Sequence, residues 1–487
     1  MQNKNCNVLI VGFGPTGAVL ANLLSKYNLS IHVLEKESRV YNLPRAVHFD
    51  DEIMRIFKSI GIYEKLIKKT IINKGTKFVD ENDNLILDWP RPRQITDNGF
   101  YPSYRFHQPD LEKILRKNLA LNSNLQICYN TELMELENKG KVVKAKCINK
   151  ATNTSQTIYA DYVVGCDGAN SFVKKIIGQD TIDFGFEEKW AVLDLIMKKN
   201  KKKLPDRTIQ YCSQNAPSTY CRNVGRRRRW EISLNKNFTE KDILDENKIW
   251  NFLSKWVTQN DAIIERKTIY TFKSLIAKKW RKGRIFIAGD AAHLSPPFMG
   301  QGMCSGLRDV SNLFWKLAHC CYFGHKEKLL ETYESERLEN VKEYIITTIN
   351  MGKLLNSIGD PNVSNTVKED KDGSRVMTSI KPPLGPGLGN KSDKLRGHVF
   401  PFINLQKSKI QNFDEQFDKE LILLSKQELN CTDIKHVNVN KYKELLKIFN
   451  NLNIKALILR PDRFILSSLE NNSDINEFIN KSMLQIS

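Results

Sequence analysis

The sequence predicts an α/β fold, an open sheet interrupted by a second, mostly-β sheet. Three observations predict it. The cluster Gly12-Phe13-Gly14-Pro15-Thr16-Gly17 lies between a short apolar strand and a helical stripe. Two later apolar strands end in acidic glycine turns, Gly165-Cys166-Asp167-Gly168 and Gly289-Asp290. Between them, over about 181–275, helical periodicity gives way to alternating, β-forming runs.

Taken in order, 7–11 reads as a strand, 17–27 as a helix and 30–35 as the next strand, a βαβ opening. Residues 111–121 are helical, with Leu111, Ile114, Leu115 and Leu119 on one stripe. Runs 162–166 and 284–288 read as buried strands of the same sheet. Runs 190–197, 208–211 and 229–234 belong to the inserted sheet. A Pro/Gly-rich loop, 296–303, opens a helix over 304–318. Pro and Gly thicken at 381–389, and beyond about 405 a smaller segment holds a helix at 441–450 and a strand at 456–459.

The 487 residues allow two or three domains, and 41% hydrophobic with 9% aromatic residues excludes global disorder. The formal net charge is +20. Its lysines, such as Lys198, Lys273, Lys278 and Lys282, are dispersed with slight aromatic interleaving, so no nucleic-acid partner is expected. Such a field steers anionic substrates. Ten cysteines are scattered without a CxxC, which fits a reducing compartment. The apolar run 8–24 contains Pro15 and three glycines, which suits strand, turn and helix rather than a signal peptide or membrane span. The expectation is a cytoplasmic protein without a membrane partner.

The glycine cluster matches GxGxxG in the context that gives the motif meaning, with Glu35 ending the next strand. Gly12 allows the tight turn, Gly14 lets backbone approach a pyrophosphate, and Gly17 lets helix and strand pack. The helix N-terminus then meets the pyrophosphate, and Glu35 accepts hydrogen bonds from a ribose. The glycines do not distinguish NAD from FAD. Asp167 and Asp290, at strand C-terminal ends, stand where open sheets bind ligands, and such a carboxylate can hold a ribityl chain. The helix after Pro296-Pro297-Phe298-Met299-Gly300-Gln301-Gly302-Met303 would stabilise negative charge on a reduced flavin ring.

In this order the three stretches resemble the class A FAD-dependent aromatic monooxygenases, the para-hydroxybenzoate hydroxylase group, over about 7–350. Within the group the likeness is greatest to 3-(3-hydroxyphenyl)propionate hydroxylases. It rests on Pro44-Arg45-Ala46-Val47-His48-Phe49-Asp50-Asp51-Glu52, on Phe106-His107-Gln108-Pro109-Asp110-Leu111-Glu112, on Ser305-Gly306-Leu307-Arg308-Asp309, and on Arg226–Arg229 with Trp230-Glu231. The resemblance implies that Arg45 and Gln108 contact noncovalent FAD, that Asp167 sits near it, and that Asp290 binds its ribityl chain. Pro297 and Gly300, with Gln301 and Gly302, would border the flavin ring as the catalytic loop, with no acid or base assigned.

The implied reaction hydroxylates a phenolic acid to a catechol with NADH or NADPH and dioxygen, through a flavin C4a-hydroperoxide. A single GxGxxG implies a nicotinamide that docks transiently, and a homodimer is compatible with the resemblance. The implied fold is a Rossmann-type FAD-binding domain (1–75, 100–180, 276–350) with an inserted mostly-β substrate domain (76–99, 181–275). A connecting segment (351–404) leads to a C-terminal thioredoxin-like domain (405–487), whose lone Cys431 excludes dithiol chemistry. Two positions depart from the group. Leu338-Glu339 stand where Arg-Pro is usual, and His48 stands where a small residue is expected.

Rival readings are a polyketide- or drug-type hydroxylase, a non-hydroxylating FAD-dependent reductase, and an FAD-binding protein without catalysis. Arg226–Arg229 could form a nucleic-acid patch, but on a strand they alternate between faces, some towards a substrate cavity. His293 and His107 are read as structural rather than as bases. His48 with Asp50, Asp51 and Glu52 could hold a metal, as could His319-Cys320-Cys321 with His325; both are read as helix residues, so no metal is expected. No GxSxG supports a serine hydrolase.

Overall fold

The structure, a computed structural model, describes residues 5–43, 45–198, 204–356, 360–405, 412–416, 420–429, 434–470 and 474–486. Pro44 and Cys431 lie outside the described residues. The βαβ opening comprises Cys6–Val11, the helix Pro15–Leu24 and Ile31–Leu34. These strands sit in a sheet ordered Arg281–Lys282, Ile285–Ile287, Thr154–Gly165, Cys6–Val11, Ile31–Leu34, Leu125–Cys128. Its last five strands run parallel. Helices cover it, so Val8, Leu9, Ile10, Val163, Val164, Phe286 and Ile287 are buried, which is why these strands read as unbroken apolar runs. The strand expected at 162–166 begins at Thr154; its first half is exposed and polar, pairs with a hairpin, and carries no apolar signal.

The inserted sheet has ten strands, centred on Thr181–Met197, Arg227–Ser233, Ser218–Arg222 and Thr208–Tyr211. Alternation gives it two faces. Ala191, Leu193, Leu195, Trp230 and Ile232 form a separate apolar cluster with Ile249 and Leu253 of the helix Glu246–Leu253. The opposite face carries Trp190, Asp194, Arg229 and Glu231, all buried. Two segments join this sheet from elsewhere. Gly75–Val79 and Leu85–Pro90 lie in the stretch expected there, whereas Val367–Glu369 and Arg375–Met377 come from the stretch expected to be only a connector. The helix Glu327–Leu355 also runs past the boundary expected at 350. A small antiparallel sheet sets His48–Asp50 beside Ser103–Phe106 beside Thr70–Ile72.

The C-terminal stretch forms a four-stranded sheet ordered Lys435–Asn438, Ile422–Ser425, Ile454–Leu459, Ile465–Glu470. The first pair is parallel and the others antiparallel, with the helices Lys443–Asn451 and Ile475–Met483 alongside. It docks through a buried charge network. Lys316 Nζ and Arg460 Nη1 donate to Glu336 at 2.8 and 2.9 Å, and Arg460 also pairs with Asp462. Burial raises the Glu336 carboxyl, but Arg460 and Lys316 override it and hold the group down at about 2. Among the described residues no helix is long and apolar enough to cross a membrane.

Candidate active site

The glycine turn is built by backbone contact. Gly12 has φ +97°, and a Cβ there would lie 2.4 Å from the Cys166 carbonyl oxygen. The ends of the neighbouring strands Cys6–Val11 and Thr154–Gly165 thus meet where only hydrogen fits. A Cβ on Gly17 would lie 2.0 Å from the Gly12 carbonyl oxygen. Gly14 is different, because its nearest foreign atom is the Arg45 guanidinium at 4.0 Å, which leaves an open approach. Gly14 is also the N-cap of the helix Pro15–Leu24 and supplies no side-chain cap, so the helix presents free N–H groups. Glu35 stands beside this end, its carboxylate accepting from Phe13 N at 2.9 Å and Glu37 N at 3.0 Å.

Other expected residues are more braced than exposed. Gln108 Oε1 accepts from the backbone N–H groups of Arg45 and Ala46 at 3.2 and 2.7 Å, so it shapes the Arg45 loop from beneath. Asp167 accepts from Ser171 Oγ at 2.5 Å and from Phe172 N at 2.8 Å, tying down the start of the helix Phe172–Ile177; burial pushes its carboxyl up. Asp290 is exposed at the end of Ile285–Ile287, with no side-chain partner among the described residues. Sequence reasoning missed the group that places it. Asp309, fully buried, accepts from Gly289 N at 3.0 Å and Arg337 Nε at 2.9 Å, and lies 2.7 Å from His293 Nε2. His293 is thus held inside the fold, and Asp309 pins the Gly289 turn to the helix Gly302–Phe323.

The loop before that helix is held from both sides. Phe298 packs edge-on against Phe186 and Trp190 of the inserted sheet, and its carbonyl accepts from Gln210 Nε2 at 3.2 Å. Pro297 closes a turn by accepting from Gly300 N at 2.8 Å. Gly300 has φ +66°, and a Cβ there would lie 2.9 Å from His48 Nδ1. The Gln301 side chain turns inward to Asp50 and Arg308, while its backbone forms the uncapped N-cap of the long helix; the Cβ position of Gly302 is open. Asp50 caps the helix Asp51–Ser59 and, with Glu52, grips Arg308. This is why His48, Asp50, Asp51 and Glu52 do not form a metal cluster; no His/Cys/Asp/Glu group among the described residues is arranged to hold one.

His48, Trp89, Arg91, Met299, Gln301 and Tyr344 line a cavity of about 150 Å³ beside this loop. On the sheet face nearby, Arg229 Nε donates to Asp194 at 2.8 Å, Arg266 Nε donates to it at 2.9 Å, and Arg229 Nη1 donates to the Arg45 carbonyl at 2.8 Å. Of the arginine run, Arg229 therefore ties the inserted sheet to the Arg45 loop. Arg227 pairs with Glu265 and Arg226 is exposed. His107 sits beside Asp110 at 3.3 Å.

Two uncapped helix N-termini, an open glycine, Arg45 and the free Asp290 carboxylate suit an elongated, pyrophosphate-bearing cofactor ending at the Gly300–Gly302 loop. The comparisons agree. The family described as "FAD binding domain" matches residues 5–347. A probable NADH-specific resorcinol 4-hydroxylase of Rhodococcus jostii is 36% identical over 357 residues, covering 72% of this chain and 66% of that one. A 3-(3-hydroxy-phenyl)propionate/3-hydroxycinnamic acid hydroxylase of Burkholderia cenocepacia is 33% identical, covering 73% and 65%. The chain thus spans just under two-thirds of the length of these relatives. Aklavinone-11 hydroxylase, solved with FAD and aklavinone, superposes with a TM-score of 0.78 at 17% identity, covering 100% of this chain and 99% of that one. The p-nitrophenol 4-monooxygenase of Pseudomonas putida gives 0.64 at 20%, covering 74% and 94%. The latter two likenesses speak for the fold alone.

Proposed function

The chain belongs to the class A FAD-dependent aromatic monooxygenase family, its FAD binding domain matched over 5–347, and from that premise we propose that it hydroxylates a phenolic ring with NAD(P)H and dioxygen. The observation that carries this reading is the cavity where the Gly300–Gly302 loop meets the strand His48–Asp50 and the inserted sheet. FAD, when bound, supplies the hydride acceptance and dioxygen activation. Gly12, Gly14 and Gly17 form its pyrophosphate turn, Glu35 takes the ribose, Arg45 offers charge, and Asp290 takes the ribityl hydroxyls. Gln108, Asp167 and Gln301 act from behind, by bracing the backbone that approaches it. Phe298 and Met299, both buried, exclude water from the reacting end.

The substrate we propose is a phenol with a short carboxylate side chain, giving a catechol. A second reading, an uncharged dihydric phenol, is favoured by the resorcinol-hydroxylase relative. The nicotinamide docks transiently, because one GxGxxG is already committed to FAD. The boundaries proposed for the units are those read from the sequence, with 367–377 added to the substrate sheet. We read the C-terminal stretch as thioredoxin-like, supported by its strand order and by one parallel pair followed by two antiparallel ones. The test is a panel of 3-(3-hydroxyphenyl)propionate, resorcinol and a polycyclic phenol, scored by nicotinamide oxidation and product. Stimulation by the phenolic acid is expected. Stimulation by the polycycle alone overturns the single-ring reading.

A further inference from the structure

Attack of a phenol ring on an electrophilic oxygen is helped when the phenol gives up its proton, and the residues above include no group for that task. We propose that His48 accepts the substrate's phenolic proton at Nε2, a step that rests on the phenol-hydroxylase reading. His48 is 4% exposed on the strand His48–Asp50. Its Nδ1 lies 3.3 Å from the Gly300 carbonyl oxygen. A carbonyl only accepts, so Nδ1 carries the hydrogen and Nε2 is left with a bare lone pair. That nitrogen is buried and has no hydrogen-bond partner among the described residues. A buried acceptor without a donor is costly, and a hydroxyl donated by a ligand would satisfy it.

His48 lines the cavity beside the flavin-bordering loop, and about 150 Å³ is the size of an interior cavity that admits a benzene ring. Two buried arginines stand beside His48, and of the two Arg91 lines the cavity. Arg105 pairs directly across from His48 in the antiparallel ladder and donates to Thr208 Oγ1. Arg91 donates to Ser379 Oγ at 3.0 Å and stacks on the Trp89 ring at 3.8 Å. Neither has a carboxylate partner among the described residues. Their charges favour an anion beside His48; of the carboxylates that line the cavity, Asp50 and Glu52 are paired with Arg308 and Asp51 with Lys381, and Asp97 lines it as well.

The same surroundings set the resting state of His48. Burial first, then Arg105 and Arg91, push it down to about 3, against Asp50 and the Gly300 carbonyl. His48 therefore stays neutral, its lone pair available, throughout the physiological range. In the step, the phenol O–H bond breaks and an Nε2–H bond forms. The electron pair stays on the phenolic oxygen and His48 becomes a cation. The imidazolium and the guanidinium groups stabilise the phenolate, and the phenolate's negative charge in turn stabilises the imidazolium that the arginines disfavour in the empty site. After hydroxylation the proton returns to the product's oxygen.

The test uses the full chain loaded with FAD. Resorcinol and 3-(3-hydroxyphenyl)propionate are titrated into the oxidised protein, and bound phenolate is read by ultraviolet difference spectra against pH. The bound phenol should ionise at a pH at least one unit below that of the free phenol; ionisation at the same pH overturns the proposal without any variant. His48→Asn and His48→Gln should retain FAD and lower kcat at neutral pH by about 100-fold, the lower bound for a positioned base. The loss should shrink as pH rises through the phenol's own ionisation. A kcat within twofold of wild type in either FAD-loaded variant removes His48 and leaves the hydroxylase reading standing. A wild-type protein that hydroxylates neither phenol removes both.

Discussion

Replacing Gly300 by valine tests whether the loop sets the reacting geometry. The residue has φ +66°, where an L-residue is strained by roughly 1–2 kcal/mol. Its new Cβ would lie 2.9 Å from His48 Nδ1 and 3.2 Å from His48 Cβ and Cγ. Optimal carbon contacts are about 3.5–4.0 Å, so loop or imidazole must move by several tenths of an ångström. The bond from His48 Nδ1 to the Gly300 carbonyl then weakens, at a cost of about 0.5–1.5 kcal/mol. Together these come to about 1.5–3.5 kcal/mol, below the typical total of about 5–15 kcal/mol, so the variant folds. Displacement on this scale at a reacting centre costs up to about 100-fold in rate. The assay is product formed per nicotinamide consumed on FAD-loaded protein, with hydrogen peroxide measured alongside. Nicotinamide oxidation should continue while product falls and peroxide rises, and Gly300→Ala should show a smaller change in the same direction. A coupling ratio equal to wild type in the valine variant refutes the reasoning and makes the loop a connector.

Other outcomes follow from the same geometry. Asp290→Ala should weaken FAD binding by about 1.5–3 kcal/mol, roughly 10- to 150-fold, in fluorescence titration of released flavin; unchanged affinity removes the residue from the cofactor site. Asp309→Asn leaves Arg337 buried without its counter-charge and should lower stability by about 3–5 kcal/mol in urea unfolding, with the Asp290 loop loosened; a change under about 1 kcal/mol contradicts the pinning role. The Glu336 carboxyl is held below its unfolded value, so its contribution is full above the usual glutamate range and is lost as pH falls towards about 2. Glu336→Gln should therefore destabilise the chain at pH 7 but narrow its difference from wild type on acidification; a difference independent of pH shows that the network is not charged.

The open sheet was legible because its strands are buried on both faces, and Val8–Val11 or Ile285–Ile287 can only be apolar there. The glycine turn was legible because contacts such as Gly12 to Cys166 tolerate one residue type. What stayed hidden depends on partners distant in sequence. Asp309 reads as an ordinary helix residue until the fold brings Gly289, His293 and Arg337 to it. Gln108 and Gln301 were expected to face the cofactor, but both amides turn to protein partners, because each loop has backbone or charge to satisfy behind it. The strands Val367–Glu369 and Arg375–Met377 are three residues each on the sheet edge, too short and too exposed to leave a pattern. His48 stood out as a misfit to the family and as one of a possible metal cluster, not as a base; the carbonyl that sets its tautomer is 252 residues away.

The central claim is that this chain transfers one atom of dioxygen to a phenol. The direct measurement is turnover of 3-(3-hydroxyphenyl)propionate and resorcinol with nicotinamide under labelled dioxygen, followed by mass spectrometry of the product. One labelled oxygen is expected in the new ring hydroxyl for each nicotinamide oxidised, and no product in anaerobic buffer. Product without label, or steady nicotinamide-dependent turnover of the phenol without dioxygen, would contradict it and leave a reductase or dehydrogenase on this fold.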